Sequence, residues 1–438
     1  MRRATKSRAF TVVRQPGFAY RNLEGAFPTL FCEEVELESL APRHGTPLYV
    51  YSAETIRSRL RAFDRAFRSI PHTICYSVKA NSTLAILRLL ADQNSGFDVV
   101  SGGELERVLG VRSKAAAKTV FSGVGKTVAE MELALKAGIL LFNVESASEL
   151  LALARAAARL KKRASIALRV NPDVSAKTHP YISTGLHEHK FGVPIREARR
   201  LYAEAGKDPN IRVAGVSVHI GSQITDLTSF TDALGRVADL VRELQRNGHN
   251  IRYVDAGGGL GIAYKDEPEV FAKQVAAYAK AVIAPLRGLG IHLLLEPGRS
   301  IVGPAGVLLT RVLYRKTNDG KRFLIVDAAM NDLLRPSLYG AYHEIVPVQL
   351  AGPSNREWEI TDVVGPVCET GDFFARDREL PVVQEGDLLA ILDAGAYGAV
   401  LASNYNTRGR PAEVLVDKAK AWLVRRRETT GDQVRLER

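Results

Sequence analysis

Cysteine is scarce in this chain, three in 438 residues, and Cys32, Cys75 and Cys368 stand at no motif spacing. A disulfide framework is thereby excluded, and a reducing compartment is the expectation, with the cytoplasm the simplest address. No uninterrupted apolar run is long enough to cross a bilayer. Residues 1–14 are basic and lack an apolar core, so no signal peptide is expected. Internal repeats and low-complexity linkers are also missing, which removes solenoids and disordered tethers from consideration. The net charge of +12 is spread along the chain, with short clusters only at 1–8 and 425–427. Neither cluster is interleaved with a recognition motif or an aromatic platform, so the charge reads as solvated surface and not as a nucleic-acid face. A small anionic substrate is compatible with it.

What remains is an ordinary globular composition, 46% apolar and 25% charged, in a chain longer than one core usually serves. Short apolar runs at 47–51, 73–78, 97–101, 119–122, 140–144, 165–170, 213–220, 251–255 and 291–295 alternate with amphipathic stretches such as 84–92, 104–109, 129–137, 149–161, 195–204, 230–247 and 270–287. Strand then helix, repeated about eight times over roughly 250 residues, predicts an α/β fold: a (β/α)8 TIM-like barrel over 46–300. An open doubly wound sheet is the rival. After Ser300 the runs 307–314, 322–327, 346–350, 357–364, 387–392 and 413–416 follow without long helices between them, which predicts a second, mostly antiparallel β domain over 301–438, joined by 1–45.

A barrel gathers the C-terminal ends of its strands on one face, and there the unusual polar residues fall. They are Lys79, Asp98 with Ser101, Ser122, Glu145, Arg169 with Asn171, His219 with Ser222, Gly257 to Gly259, and Glu296 with Arg299. Lys79 ends the first apolar run in Ser77-Val78-Lys79-Ala80-Asn81. Burial there lowers an amine's pKa, which suits attack on a carbonyl or a Schiff base, whereas a lysine that snorkels into water fits the pentapeptide equally. Asp255-Ala256-Gly257-Gly258-Gly259-Leu260-Gly261 places glycines where backbone N–H groups can cradle a phosphate, although glycines also make plain turns. It is no dinucleotide fingerprint, since the third glycine of that pattern falls at Ile262. Ser122-Gly123-Val124-Gly125-Lys126-Thr127 is likewise no nucleotide loop, since the required first glycine falls at Val120. Glu296 can hold a heteroaromatic nitrogen protonated, or it can form a salt bridge with Arg299. His219 can stack on such a ring, or be a satisfied core histidine. His187 and His189 lack further ligands at metal spacing, so no metal is expected.

Taken together, 76–81, 97–104, 169–173, 179–185, 219–223, 257–261, 296–299, 368–372 and 395–397 resemble, in order and over nearly the whole chain, the fold-type III pyridoxal-phosphate decarboxylases. Within them the chain is most similar to the diaminopimelate decarboxylases. The resemblance implies pyridoxal 5'-phosphate as cofactor and a homodimer with shared active sites. The reaction it implies is decarboxylation of meso-diaminopimelate to L-lysine. It gives Lys79 the Schiff base, His219 the ring face and Glu296 the ring nitrogen. Gly257, Gly258, Gly259, Ser222 and the backbone of Glu296, Pro297, Gly298 and Arg299 would hold the phosphate, which Tyr397 would also reach. Cys368 would protonate the carbanion from across the dimer. Arg299, Arg335 and Tyr339 would clamp the distal carboxylate, Glu369 would pair with the distal ammonium, and Tyr397 would touch the substrate. Arginines at a carboxylate give bidentate, charge-assisted bonds, so two of them suit a substrate with an extra acid group. The competing readings are an ornithine, arginine or lysine decarboxylase, an alanine racemase, disfavoured by Glu296 where that family has arginine, and a non-catalytic homologue, disfavoured by Lys79 and Cys368.

Overall fold

The computed structural model describes residues 17–22, 27–174, 190–264, 271–350 and 357–437. The motif at 179–185 and the histidines His187 and His189 lie outside the described residues. The chain divides into two compact units, one of 56–303 with 395–400, the other of 1–55, 304–394 and 401–438.

In the first unit eight strands pair in parallel: β1 (His72–Ser77), β2 (Gly96–Val99), β3 (Thr119–Phe121), β4 (Leu141–Val144), β5 (Ala164–Asn171), β6 (Ile211–Ser217), β7 (Tyr253–Asp255) and β8 (His292–Leu295). The pairing of β8 with β1 closes the ring, and the open doubly wound sheet is thereby excluded. Parallel strands covered on both faces read as continuous apolar runs, and β2, β3, β4 and β5 are buried along their whole length. The helices return over the outside by helical periodicity: Thr228–Arg246 buries Phe230, Leu234, Val237, Val241 and Leu244 on one face.

Several helices start at once after a strand because a cap stands there. The Ser101 hydroxyl accepts from Glu104 N at the start of Gly102–Val111, Thr127 and Glu130 form a reciprocal capping box before Val128–Ala137, and Ser146 caps Ala147–Arg159. Ser101, expected among the chemical groups of the rim, is therefore a helix cap.

The second unit is built on a sheet with the strand order Phe373–Pro381, Trp358–Val364, Lys321–Val326, Gly306–Asn318, Leu48–Ser52, Ala412–Asp417 and Lys420–Arg425. Most neighbours are antiparallel. The exceptions are Lys321–Val326 with Trp358–Val364 and Leu48–Ser52 with Ala412–Asp417. The apolar run at 47–51, expected to open the barrel's alternation, thus lies in this sheet, antiparallel to Gly306–Asn318. Phe18–Arg21 and Thr29–Cys32 form a hairpin whose Phe18 and Leu30 enter a core with Val50, Leu309, Val346 and Ala390.

Candidate active site

The C-terminal rim of the barrel carries a dense set of buried polar side chains. Lys79 sits in the single turn Val78–Ala80 that ends β1, and its Nζ donates to Asp98 Oδ2 at 2.7 Å. The pairing follows from register, since Ser77 lies opposite Asp98 across β1 and β2. Asp98 is fully buried while the Lys79 side chain keeps 35% of its exposure, so the amine is both anchored and reachable. Burial alone pushes the Lys79 ammonium toward neutrality, as the sequence leads one to expect, but Asp98, helped by Glu296, outweighs it and holds the amine charged above its ordinary range. Glu104 stands close to this pair electrostatically, and burial pushes its carboxyl up to about 7.

Behind the amine lies a cluster of carboxyls. Glu296 follows β8 directly; its Oε1 accepts from Ser122 Oγ at 3.1 Å, and its backbone N–H donates to Gly257 O at 2.7 Å. Asn143, on β4, turns its amide nitrogen toward Asp255 Oδ2 at 2.7 Å, Ser122 Oγ at 3.0 Å and Glu296 Oε1 at 3.4 Å. Facing carboxyl oxygens, that amide must present nitrogen and not oxygen. Asp255 and Glu296 thus share one amide nitrogen, and burial raises the pKa of both carboxyls. Tyr264, Asn143 and the Asp255–Glu296 contact are absent from the sequence expectations. Asn143 was detectable in principle, since it sits two residues before the rim residue Glu145 and so faces the same side of its strand.

The glycine turn after β7 is fixed by contacts that only glycine permits. A Cβ on Gly258 would lie 2.2 Å from Glu296 O, and one on Gly259, whose φ is +109°, would lie 2.4 Å from Gly221 O. His219 Nδ1 accepts from Gly258 N at 3.2 Å. Burial, with the charges of Arg169 and Lys79, pushes the imidazole well below its usual range, so His219 is a neutral, flat ring beside this turn. Arg299 Nη2 donates to Ser222 Oγ at 3.2 Å and Nη1 to Tyr264 Oη at 2.8 Å, while its guanidinium lies 4.8 Å from the Tyr397 ring centroid. Tyr397 is held in this unit by its N–H, which donates to Ala80 O at 2.8 Å. Arg299 is thus engaged by Ser222 and Tyr264, and no Arg299–Glu296 salt bridge occurs among the described residues. Arg169 pairs with Glu145 at 3.1 Å.

Lys79, His219, Ser222, Gly257 to Gly259, Glu296 to Arg299 and Tyr397 accordingly belong to one compact unit. Arg335, Tyr339, Cys368 and Glu369 belong to the other. There Arg335 is buried, not a surface residue, and its Nε lies 3.3 Å from His343 Nε2. Cys368 is exposed in the turn after Trp358–Val364, with its N–H on Asn406 Oδ1 at 2.8 Å, and Glu369 beside it is exposed as well. A cavity of about 750 Å³ lined by Ile70, Pro71, Arg252 and His292 opens at the opposite, N-terminal end of the strands, the end of such barrels associated with stability. The described residues hold no cluster of three or more metal-ligating side chains and no helix long and apolar enough to cross a membrane.

Known proteins are similar to this chain in sequence and fold. Residues 53–303 match the model of the pyridoxal-dependent decarboxylase pyridoxal-binding domain. A diaminopimelate decarboxylase of Pseudomonas aeruginosa is 53% identical over 415 residues, which is 95% of this chain and 97% of that protein. Among solved structures, the diaminopimelate decarboxylase of Helicobacter pylori complexed with L-lysine is 44% identical with a TM-score of 0.86, covering 91% of this chain and 98% of that one. The diaminopimelate decarboxylase of M. jannaschii in complex with L-lysine is 38% identical with a TM-score of 0.90, covering 98% of this chain and 99% of that one. An anchored amine, a buried carboxyl pair and a glycine turn on one barrel rim therefore come with identity along nearly the whole length, and the chain belongs to the pyridoxal-dependent decarboxylases, in the diaminopimelate decarboxylase family.

Proposed function

We propose that this protein decarboxylates meso-2,6-diaminopimelate to L-lysine and carbon dioxide, the lysine-forming step of lysine biosynthesis, with pyridoxal 5'-phosphate as cofactor. The observation that carries the reading is the juxtaposition of Lys79, Asp98 and Glu296 on one rim, beside a glycine turn, in a chain so similar to enzymes of that name.

The donor set fits the cofactor. A primary amine suits its aldehyde, a neutral imidazole its ring face, and a carboxyl its ring nitrogen; backbone N–H groups of Gly257 to Gly259, the Ser222 hydroxyl and Arg299 suit its phosphate. Asp98 Oδ1 is in addition a buried carboxylate oxygen with no hydrogen-bond partner among the described protein groups. When bound, the cofactor serves as the sink for the electrons left as carbon dioxide departs. The protein supplies position and charge. Asp98 Oδ2 orients Nζ of Lys79, which must lose its proton before it can act as a nucleophile.

Substrate choice falls to Arg299, Arg335 and Tyr339 at the distal carboxylate, Glu369 at the distal ammonium and Tyr397 at both cofactor and substrate. Cys368 delivers the proton to the α carbon. Its exposure, with that of Glu369, supports a homodimer in which both residues serve the neighbouring subunit's site. A cytoplasmic address completes the reading, and three unpaired thiols suit a reducing compartment.

The test is incubation of the purified protein with meso-diaminopimelate and pyridoxal phosphate, with detection of L-lysine and carbon dioxide. L-ornithine, L-arginine and L-lysine run in parallel. Turnover of ornithine without turnover of diaminopimelate would refute the substrate assignment, and full activity in Lys79→Ala would refute the role of the lysine.

A further inference from the structure

Two acids meet beneath the rim. Asp255 ends β7 and is completely buried; Glu296 follows β8, the neighbouring strand, and is buried to within 7%. One amide nitrogen, Asn143 Nδ2, lies 2.7 Å from Asp255 Oδ2 and 3.4 Å from Glu296 Oε1, so the two carboxyls stand side by side. Two carboxyls buried side by side cannot both ionise at low cost, so one of them keeps a proton.

The surroundings decide which acid carries it. Asp255 Oδ1 accepts from Gly257 N at 2.9 Å and Oδ2 from Asn143 Nδ2 at 2.7 Å, and two good donors favour the ionised form. Glu296 Oε1 receives the longer bonds, 3.1 Å from Ser122 Oγ and 3.4 Å from Asn143. The other titratable groups facing the pair are Asp98 on β2, Lys79 after β1, Cys75 on β1 and Tyr278 on helix Phe271–Leu286. Lys79, the one cation among them, is already paired with Asp98, and the buried Cys75 thiol and Tyr278 phenol are held neutral.

We propose that Asp255 and Asn143 are positioning residues for Glu296: they keep one proton on the Asp255–Glu296 pair, resident on Glu296 before cofactor binds, and this is the proton that the ring nitrogen receives. The inference rests on the reading that Glu296 faces that nitrogen. The transfer balances: the O–H bond of Glu296 breaks, an N–H bond forms, and the attraction of the positive ring for two carboxylates offsets their mutual repulsion.

Infrared spectroscopy of the cofactor-free protein tests the pair directly. Wild type shows a protonated-carboxyl C=O band at neutral pH that Glu296→Gln removes. Asp255→Asn deletes the like charge, so the band bleaches at lower pH than in wild type. Asn143→Ala keeps both acids but strips a donor from the anion, so the band bleaches at higher pH, and a merely structural role would not move the two variants in opposite directions. In the loaded protein, ¹⁵N resonance of labelled pyridoxal phosphate shifts from pyridinium toward free pyridine in Glu296→Gln, which has no acid proton to give, and stays with pyridinium in Asp255→Asn, where Glu296 is the stronger acid. A wild-type apoprotein without the band, or bleaching midpoints that coincide in all foldable variants, overturns the proposal. If the band behaves as expected but Glu296→Gln leaves the ¹⁵N signal in place, the assignment of Glu296 to the ring nitrogen is wrong, and the transfer half of the proposal is overturned with it.

Discussion

Replacing Lys126 by Met measures how much of the rim depends on one buried charge. The lysine belongs to Ser122-Gly123-Val124-Gly125-Lys126-Thr127, which has the look of a phosphate loop, but its side chain is fully buried. Its Nζ donates to Gly123 O, Asn143 O and Glu149 Oε1, each at 2.7 Å, so all three of its donors are used. Glu149 spends its other oxygen on Glu145 N at 3.0 Å. Removing Lys126 leaves a buried carboxylate without its counter-ion, for which about 3–5 kcal/mol is the general cost. For a unit of this size 1 kcal/mol moves Tm by about 2–4 °C, so a fall of about 6–20 °C in thermal denaturation is expected. Lys126→Met with Glu149→Gln keeps the acceptor for Glu145 N but deletes the stranded charge, and regains part of the loss. The pH dependence carries a definite sign. Burial raises the Glu149 carboxyl and Lys126 opposes the rise, so the variant raises it further. A carboxyl whose folded pKa lies above its unfolded value destabilises as pH rises through that interval. The deficit of Lys126→Met against wild type is therefore small until the pH passes the already raised Glu149 value of the wild type, and grows above it. A Tm loss under about 2 °C, or a deficit equal at pH 4 and pH 7, refutes the reasoning.

Two further outcomes follow from the site. Gly258→Ala places a methyl 2.2 Å from the Glu296 carbonyl, so the turn must move; fluorescence titration is expected to show weakened pyridoxal phosphate binding, and wild-type affinity would show that this backbone does not hold the cofactor. Arg335→Gln removes a buried guanidinium, and loss of a charge-assisted bond worth about 1.5–3 kcal/mol predicts a KM for diaminopimelate raised about 10- to 150-fold. Steady-state kinetics in which kcat collapses while KM stays constant would remove Arg335 from the substrate clamp.

The parts of the molecule legible in the sequence are those that a local signal writes. Strands buried on both faces announce themselves as apolar runs, and caps such as Thr127 with Glu130 mark where helices begin. Leu48–Ser52 carries the same signal, five buried residues in a row, but a buried run does not say which sheet it joins. Its neighbours, Gly306–Asn318 and Ala412–Asp417, are set by pairing across hundreds of residues. Phe373–Pro381 escaped notice for the opposite reason, since its exposed stretch of charge reads as a loop and only its partner Trp358–Val364 makes it a strand.

The site divides along the same line. Lys79, Gly258 and Glu296 stand out locally because a lysine, a glycine run and an acid at strand ends are unusual. Their behaviour, however, is set by partners distant in sequence. Asp98 reverses the direction in which burial alone would move the Lys79 amine, and that pairing exists only because β1 and β2 bring Ser77 opposite Asp98. Asn143 meets Asp255 across 112 residues and Glu296 across 153, contacts that no periodicity encodes but that barrel closure enforces. A strand-end residue can therefore be named from sequence as a chemical group, while its protonation state belongs to the closed ring of strands; this is why Asp255 and Asn143, silent in the sequence, are the residues whose substitution is expected to move the proton on Glu296.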